Sequence, residues 1–164
     1  MKTALIALGS NLGDSIATLQ NAVQELQHTD GIIVKKVSSF YKTPPIGGVV
    51  QDDFINACAL IETKLTPKEL MQVLLNIEQI FKRKRVIRWG PRTLDLDLID
   101  YAGLKSDDSF VTLPHPRAYL RAFVLLPASE IAPHLKLGGE KTISEYLALL
   151  NAEDLKGITK LNYA

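Results

Sequence analysis

The hydrophobic and polar positions of the first 63 residues predict strand, helix, strand and strand. The run Ala4–Leu8 is continuously apolar and predicts a buried strand. A helix capped by Asp14 or Ser15 follows. Its apolar positions recur at helical spacing: Ile16, Leu19, Ala22, Val23 and Leu26. Residues 32–41 and 54–63 are rich in β-branched and aromatic side chains, which predicts two further strands that pair antiparallel.

The second half of the chain predicts a helix, a strand and two more helices. Thr66-Pro-Lys-Glu69 is a helix start, with Thr at the N-cap, Pro in the first turn and Glu three residues after the cap. Residues 94–101 alternate between apolar and polar side chains and predict a strand. Residues 121–129 and 144–150 carry helical patterns.

The order β-α-β-β-α-β, with helices after it, predicts an α+β fold. We expect a ferredoxin-like, antiparallel-rich sheet with helices packed on both faces, an α/β/α sandwich. The 164 residues contain no internal repeat and no linker-like stretch, so a single domain spanning 1–164 is expected.

Composition narrows the class of protein. A hydrophobic content of 46% and a charged content of 23% are typical of globular proteins. No apolar run is long enough to span a bilayer, and the first residues are too short a run for a signal peptide. Cys58 is the only cysteine, which excludes an internal disulfide. We therefore expect a cytoplasmic protein, without membrane attachment and monomeric.

Asp95 and Asp97 are the first candidates for chemistry. On a strand they share one face, with Cα atoms ~7 Å apart, while Leu94, Leu96 and Leu98 face the core. Two ionised carboxylates repel each other unless a cation lies between them. Oxygen ligands without His or Cys favour Mg²⁺. Solvated aspartates on an exposed sheet face are the alternative, but the basic residues nearby favour the metal interpretation.

A cluster of basic side chains precedes the two aspartates. It comprises Lys82, Arg83, Lys84, Arg85, Arg88 and Arg92. Ammonium and guanidinium groups neutralise phosphate charge, and guanidinium does so bidentately. The cluster next to a carboxylate pair therefore predicts a phosphorylated ligand held near a metal. A solvated surface loop is the alternative, and it fits Arg92 least because only two residues separate Arg92 from Asp95.

Four other features are weighed as candidates for the same chemistry. Trp89 either anchors its loop or stacks on a flat heterocycle. His115, between two prolines, either donates to a phosphate oxygen or is a structural turn residue. Gly9–Asp14 joins a strand to a helix but lacks both glycine-rich nucleotide fingerprints, so a tight turn is predicted there. Asp100 has the opposite parity to Asp97 on the predicted strand and is excluded from the site.

One family shares these motifs. The segment Arg88-Trp-Gly-Pro-Arg-Thr-Leu-Asp-Leu-Asp-Leu-Ile99 resembles the signature of the 6-hydroxymethyl-7,8-dihydropterin pyrophosphokinase family of folate biosynthesis. Shorter blocks resemble that family in the same order: Ala7–Asp14, Tyr41–Gly47, Phe54–Ala57, Pro114–Arg117 and Phe123–Pro127. The similarity extends from residue 3 to about residue 150.

The resemblance implies transfer of pyrophosphate from ATP to the hydroxymethyl oxygen of 6-hydroxymethyl-7,8-dihydropterin, with release of AMP. It implies two Mg²⁺ ions held by Asp95 and Asp97. The residues that it assigns to catalysis are Arg83, Arg85, Arg92, Asp95 and Asp97. Those that it assigns to ATP are Glu78, Arg92, Ile99, Thr112, His115 and Arg121. Those that it assigns to the pterin are Thr43, Pro45, Ile46, Phe54, Asn56, Trp89 and Phe123.

Other functions compete with this interpretation. A nucleic-acid-binding module would use the basic cluster and Trp89 without Mg²⁺, but it leaves the two aspartates without a role. A regulatory domain that binds a small molecule would need no metal ligands. A nucleotidyltransferase with the same carboxylate pair would release pyrophosphate in place of AMP. We expect no nucleic-acid partner.

Overall fold

The computed structural model describes residues 1–45, 51–83 and 94–161, with Arg83 as backbone alone. The strands are β1 (Lys2–Ser10), β2 (Ile32–Val37), β3 (Tyr41–Thr43), β4 (Phe54–Thr63), β5 (Asp95–Tyr101), β6 (Ser106–Asp107), β7 (Thr112–Leu113) and β8 (Thr159–Lys160). The α-helices are α1 (Ser15–Gln27), α2 (Pro67–Arg83), α3 (Ala122–Ile131), α4 (Ile143–Ala148) and α5 (Ala152–Leu155). Short 3₁₀ turns lie at Ala118–Leu120 and Leu137–Gly139. No helix in the described ranges is long and apolar enough to cross a membrane.

The main sheet is antiparallel, in agreement with the antiparallel-rich sheet predicted from the sequence. Its strands follow the order β5-β1-β4-β3-β8, and β2 pairs with the other part of the same edge of β4. Every neighbouring pair in this sheet is antiparallel. With β1, β2, β4 and β5 as the four framework strands, this is the ferredoxin-like arrangement. The short pair β6–β7 forms a separate hairpin.

The first two helices begin where the predicted caps lie. Asp14 Oδ1 accepts a hydrogen bond from Ala17 N at 3.1 Å, which caps α1. At the start of α2, Thr66 Oγ1 accepts from Glu69 N at 3.2 Å, and Glu69 Oε1 accepts from Thr66 N at 2.9 Å. This reciprocal pair is a capping box. Both helices therefore start as the sequence predicted.

Two hydrophobic clusters lie on opposite faces of the sheet. On β1, Ala4, Ile6 and Leu8 face a cluster that includes α1 and α2. Leu5 and Ala7 alternate with them and face a second cluster that includes α3 and Ile143 of α4. Because β1 is central and apolar on both faces, helices cover both sides of the sheet. The predicted α/β/α sandwich is confirmed.

The predicted long strand at 32–41 is wrong in one respect, because the structure divides it into β2 and β3. Ser38 interrupts the ladder with its side chain: Ser38 Oγ accepts from Cys58 N at 2.9 Å and donates to Ser39 O at 2.8 Å. The register of β2 against β4 also shifts between Val34 and Lys36. A side-chain hydroxyl that replaces a backbone partner is a tertiary event, and the β-rich composition of the segment does not reveal it.

The parity argument for Asp100 was wrong because β5 contains a bulge. Ile6 pairs with Leu98 while Leu5 pairs with Asp100, so Ile99 is an extra residue. Asp100 therefore faces the same side as Asp97. Its buried carboxylate lies outside the cavity described below and accepts hydrogen bonds from Gly138 N at 2.7 Å and Gly103 N at 3.0 Å. Burial raises the pKa of Asp100, and these two bonds partly offset the rise.

We predict that Asp100→Ala lowers the free energy of unfolding by about 2–4 kcal/mol, because two backbone N–H groups lose their acceptor. Urea denaturation measures the change. The matched control is Asp107→Ala, which removes an exposed carboxylate of β6 and should change stability by less than about 0.5 kcal/mol. Equal stability of the Asp100 and Asp107 variants would contradict a clamping role for Asp100.

Candidate active site

A cavity of about 280 Å³ opens on the α3 face of the sheet. Gly9, Asn56 and Asp97 contribute to it from the central strands β1 and β4 and from β5. Pro44, just after β3, and Phe123, near the start of α3, also line it. An amide, aromatic carbons and carboxylates in one hollow are typical of a site for a small polar molecule.

The two predicted carboxylates lie together in this cavity. Asp95 and Asp97 are half-buried and line it, while Leu94, Leu96 and Leu98 are at most 4% exposed in the core. Within residues 1–45, 51–83 and 94–161, no group of three or more Asp, Glu, His or Cys side chains is placed to hold a metal. Two carboxylates nevertheless fit Mg²⁺, which takes one or two protein carboxylates and completes its shell with water and phosphate oxygens.

Glu78 of α2 adds a third acid beside the pair. Glu78 Oε2 accepts a hydrogen bond from Leu96 N at 2.7 Å, which satisfies a donor on the edge of β5. Burial raises the pKa of Glu78, and the charges of Asp95 and Asp97 raise it further, against the opposite effects of the Leu96 bond and Lys82. Glu78 thus lies close enough to the two aspartates for their charges to disfavour its ionised form.

His115 is a neutral hydrogen-bond donor near the carboxylates. Its backbone N–H donates to Ile99 O at 2.9 Å, and its Nδ1 accepts from Arg117 N at 3.3 Å. The proton of the neutral ring is therefore on Nε2. Burial lowers the pKa of His115; the charge of Asp97 opposes this effect, and Arg121 and Arg117 add to it.

Arg121 and Phe123 form the wall at the start of α3. The Arg121 Cζ atom lies 5.5 Å from the centroid of the Phe123 ring, within the range of a cation–π contact. Both side chains line the cavity, as does Phe54 at the first residue of β4. The cavity therefore combines a cationic group, for an anion, with two aromatic rings, for a flat ligand.

A buried hydrogen bond orients the polar group of the floor. Thr43 Oγ1 donates to Asn56 Oδ1 at 2.7 Å, which leaves the Asn56 amide nitrogen as the donor end of the side chain. That nitrogen lies over Gly9, where an added Cβ would be only 2.8 Å away. Gly9 therefore makes the space in which the Asn56 amide lies.

Comparison with known proteins decides the family. The family model described as 7,8-dihydro-6-hydroxymethylpterin-pyrophosphokinase matches residues 5–133 of this chain. The chain belongs to this pyrophosphokinase family. The resemblance seen in the sequence motifs is thereby confirmed.

Named relatives and solved structures agree. The 2-amino-4-hydroxy-6-hydroxymethyldihydropteridine pyrophosphokinase of Methylorubrum extorquens is 46% identical over 158 residues, which cover 96% of this chain and 99% of that protein. The protein of the same name from Bacillus subtilis is 42% identical over 133 residues, 81% of this chain and 80% of that protein. A Plasmodium falciparum HPPK-DHPS chain aligns with a TM-score of 0.69 at 12% identity. That alignment covers 97% of this chain but 46% of the longer one, and at this identity it shows the fold alone.

Many of the residues assigned from the sequence lie together in this pyrophosphokinase. Those that line the cavity are Thr43, Phe54, Asn56, Asp95, Asp97, Arg121 and Phe123. Glu78 and His115 lie close enough to Asp97 for its charge to shift their pKa values. The segment before β5 that holds most of the basic cluster lies outside the described residues, as do Arg85, Trp89, Arg92 and Ile46, together with the side chain of Arg83.

Besides Glu78 and His115, three assigned residues are described but do not line the cavity. Ile99 is 1% exposed and packs in the second cluster, although its carbonyl oxygen holds the His115 N–H. Thr112 is exposed on β7, where its Oγ1 donates to Asp108 O at 3.0 Å. Pro45 follows Pro44, and only Pro44 contributes to the lining. Their assigned contacts with ligands remain predictions.

Six lining residues were not individually assigned to the site from the sequence: Ala7, Leu8, Gly9, Pro44, Gln51 and Val124. Gly9 was assigned only to a turn, although it pairs with Asn56 and Asp95 from either side. Gln51 Oε1 accepts a hydrogen bond from Asn11 Nδ2 at 2.8 Å, which joins the residues before β4 to the loop after β1. All but Gln51 lie within the sequence blocks that resemble the family, but which residues of those blocks face the cavity depends on tertiary contacts that the blocks do not specify.

We predict that Gly9→Ala lowers the free energy of unfolding by about 1–3 kcal/mol, because its Cβ displaces the Asn56 amide from its bond with Thr43. Denaturant unfolding of Gly9→Ala, Asn56→Ala and the double variant forms a double-mutant cycle. In the Asn56→Ala background the added methyl has room, so Gly9→Ala should have little effect there. An equal effect in both backgrounds would show that the Asn56 amide is not what the methyl displaces.

Proposed function

We propose that this chain transfers pyrophosphate from ATP to the hydroxymethyl oxygen of 6-hydroxymethyl-7,8-dihydropterin and releases AMP. The product is the pterin diphosphate of tetrahydrofolate biosynthesis. The observation that carries the proposal is the shared cavity, in a chain of this family. In this cavity a carboxylate pair lies beside an oriented amide and two aromatic rings, which supports a metal-bound phosphate next to a flat heterocycle.

The pterin half of the cavity lies toward β3 and β4. We assign the ring to the space bordered by Phe54 and Phe123, because stacking on aromatic faces suits a flat, polar ligand. Thr43 holds the Asn56 oxygen, so the Asn56 amide nitrogen donates to the polar edge of the ring. Because the Thr43 and Asn56 side chains already hold each other in place, they can select the pterin without a large loss of side-chain entropy on binding. The contacts assigned to Pro45, Ile46 and Trp89 rest on the family resemblance.

The ATP half lies toward β5. When bound, Mg²⁺, of which we propose two ions, neutralises the triphosphate and aligns its phosphorus atoms for in-line displacement. Asp95 and Asp97 supply the carboxylates that hold it. His115 Nε2–H and the Arg121 guanidinium supply donors for phosphate oxygens. Contacts of ATP with Glu78, Ile99, Thr112 and Arg92, and catalytic roles of Arg83 and Arg85, follow from the family resemblance.

The reaction is a displacement at the β-phosphorus. The hydroxymethyl oxygen releases its proton to water and forms the new bond to that atom, while the bond to the oxygen that bridges the α- and β-phosphates breaks. AMP leaves with that bridging oxygen and the bonding electrons. The described side chains act mainly by position: Phe54, Phe123 and Asn56 hold the pterin while His115 and Arg121 hold phosphate oxygens. Such placement together with charge stabilisation accounts for most of the rate in phosphoryl transfer.

We further propose that the chain acts as a monomeric single domain in the cytoplasm. Supporting this proposal, residues from one chain line both halves of the cavity. Cys58 is a buried free thiol that bonds weakly to Val124 O, and burial raises its pKa. A cysteine of this kind suits a reducing compartment.

The direct test is product analysis by ³¹P NMR. The protein is mixed with ATP, Mg²⁺ and 6-hydroxymethyl-7,8-dihydropterin, and the proposal requires AMP and a pterin diphosphate in equal amounts. Released inorganic pyrophosphate together with a nucleotide adduct would identify a nucleotidyltransferase instead. Folded protein that produces neither set of products would refute the proposal.

We predict that Asp97→Ala reduces kcat by about a thousandfold or more, because one of the two carboxylates that hold Mg²⁺ is lost. The melting temperature of the metal-free protein should stay equal or rise, because repulsion with Asp95 and Glu78 is relieved. The control Asp107→Ala should leave kcat unchanged. A large fall in melting temperature of Asp97→Ala would indicate a structural carboxylate.

A further inference from the structure

The last described residues of the chain pack against β3, beyond the region 5–133 that matches the family. Thr159 and Lys160 of β8 pair with Lys42 and Tyr41. Leu161 N continues this edge by donating to Phe40 O at 2.9 Å. The C-terminal segment, defined here as residues 151–161, therefore completes the sheet on the side where β3 enters the cavity wall.

A carboxylate on α3 strengthens the same junction. Glu130 accepts a hydrogen bond from the Tyr41 hydroxyl at 2.8 Å and two from Ser39, from its N at 2.8 Å and its Oγ at 2.9 Å. Lys160 Nζ lies 3.9 Å from the same carboxylate. Helix α3, strand β3 and strand β8 thus share one acceptor. The junction holds β3 and the C-terminal segment to the helix that carries Phe123.

Gly157 of the C-terminal segment lies next to Pro44 of the cavity wall. Its φ is +82°, a left-handed conformation that residues with a Cβ rarely adopt. A Cβ added there would lie 3.2 Å from Pro44 Cγ and 3.5 Å from Cδ, so Pro44 would have to shift by a few tenths of an ångström. Pro44 also lines the cavity. Pro44 therefore lies between the cavity and Gly157.

We propose that Gly157 is a positioning residue that sets the Pro44 wall of the pterin half of the cavity. The inference rests on the proposed function, since it takes the heterocycle to lie beside Pro44. Only glycine meets both requirements at this position, the left-handed backbone and the close approach to the proline ring. The C-terminal segment thus supports Pro44 from the side opposite the cavity.

Substitution of Gly157 should change the binding of the pterin and not that of ATP. Pro44 follows β3, whereas Asp95 and Asp97 lie on β5, and β4 and β1 intervene. Three strand spacings separate β3 from β5 by about 14 Å. A displaced Pro44 thus alters contacts with the heterocycle and leaves the carboxylate pair in place. Uniform loss of binding contacts raises KM without lowering kcat.

The test compares two substitutions at Gly157 with one at Gly31. Gly157→Ala introduces the methyl group, and Gly157→Asn introduces the same Cβ with a residue that better tolerates the left-handed region. Gly31→Ala is the matched control: its φ is +88° and its Cβ would lie 3.1 Å from Leu65. Gly31 is at the far end of β4, near Thr63 and about 24 Å along the strand from Asn56.

Steady-state kinetics in each substrate, at a temperature where every variant is folded, gives the result. Both Gly157 variants should raise the KM for the pterin about five- to tenfold, with kcat and the KM for ATP within twofold of wild type. Gly31→Ala should keep the wild-type KM for the pterin even though its melting temperature falls.

Three results would overturn the proposal. The first is an unchanged KM for the pterin in both Gly157 variants. The second is an equal rise in Gly31→Ala, which would indicate general loosening. The third is a parallel rise in the KM for ATP. A wild-type protein that forms no AMP from ATP and the pterin would instead refute the proposed function itself, and the role of Gly157 with it.

Discussion

The ladder between β1 and β5 determines where the chemistry can occur. β5 is an edge strand, bonded on one side to β1 and held on the other by Glu78, which accepts the Leu96 N–H at 2.7 Å. In this register the leucines of β5 enter the core and its first two aspartates enter the cavity. A slip of one residue would bury both carboxylates in the apolar layer beneath α1 and α2. The hydrophobic alternation of β5 thus enforces the position of the acids, because burial of its two leucines, Leu96 and Leu98, opposes any other register.

The same strand then departs from regularity in a way that serves the site. The bulge at Ile99 brings Asp100 to the α3 face, where its carboxylate joins the turns at Gly103 and Gly138. The Ile99 carbonyl in turn accepts the His115 N–H. The hydrogen bonds of Asp100 thus fix the chain beyond the bulge. The bond to Ile99 holds His115 near Asp97, with its Nε2–H as the donor. Regular and irregular parts of one strand therefore position Asp95 and Asp97, the proposed metal ligands, and His115, the proposed hydrogen-bond donor to phosphate.

Much of the fold was predictable because its signals are local. The capping box at Thr66 and Glu69, the alternation of residues 94–98 and the apolar stripes of α1 and α2 need no tertiary information. The break at Ser38, the bulge at Ile99 and the strand β8 depend on partners far away in sequence. The site residues also divide into those with a local sequence signal and those whose role depends on distant partners. Asp95, Asp97, Asn56 and the two phenylalanines belong to recognisable motifs, whereas the roles of Gly9 and Pro44 depend on what lies across the sheet or behind the wall.

The central claim is that Asp95 and Asp97 are a paired ligand set for the metal that accompanies ATP. Crystals grown with Mn²⁺ and a non-hydrolysable ATP analogue test it through anomalous scattering at the manganese edge. The account predicts anomalous peaks within about 2.0–2.3 Å of both carboxylates, at the distances typical of Mg²⁺-type oxygen sites. Bound nucleotide with no peak at either aspartate, or with peaks on other side chains alone, would contradict it.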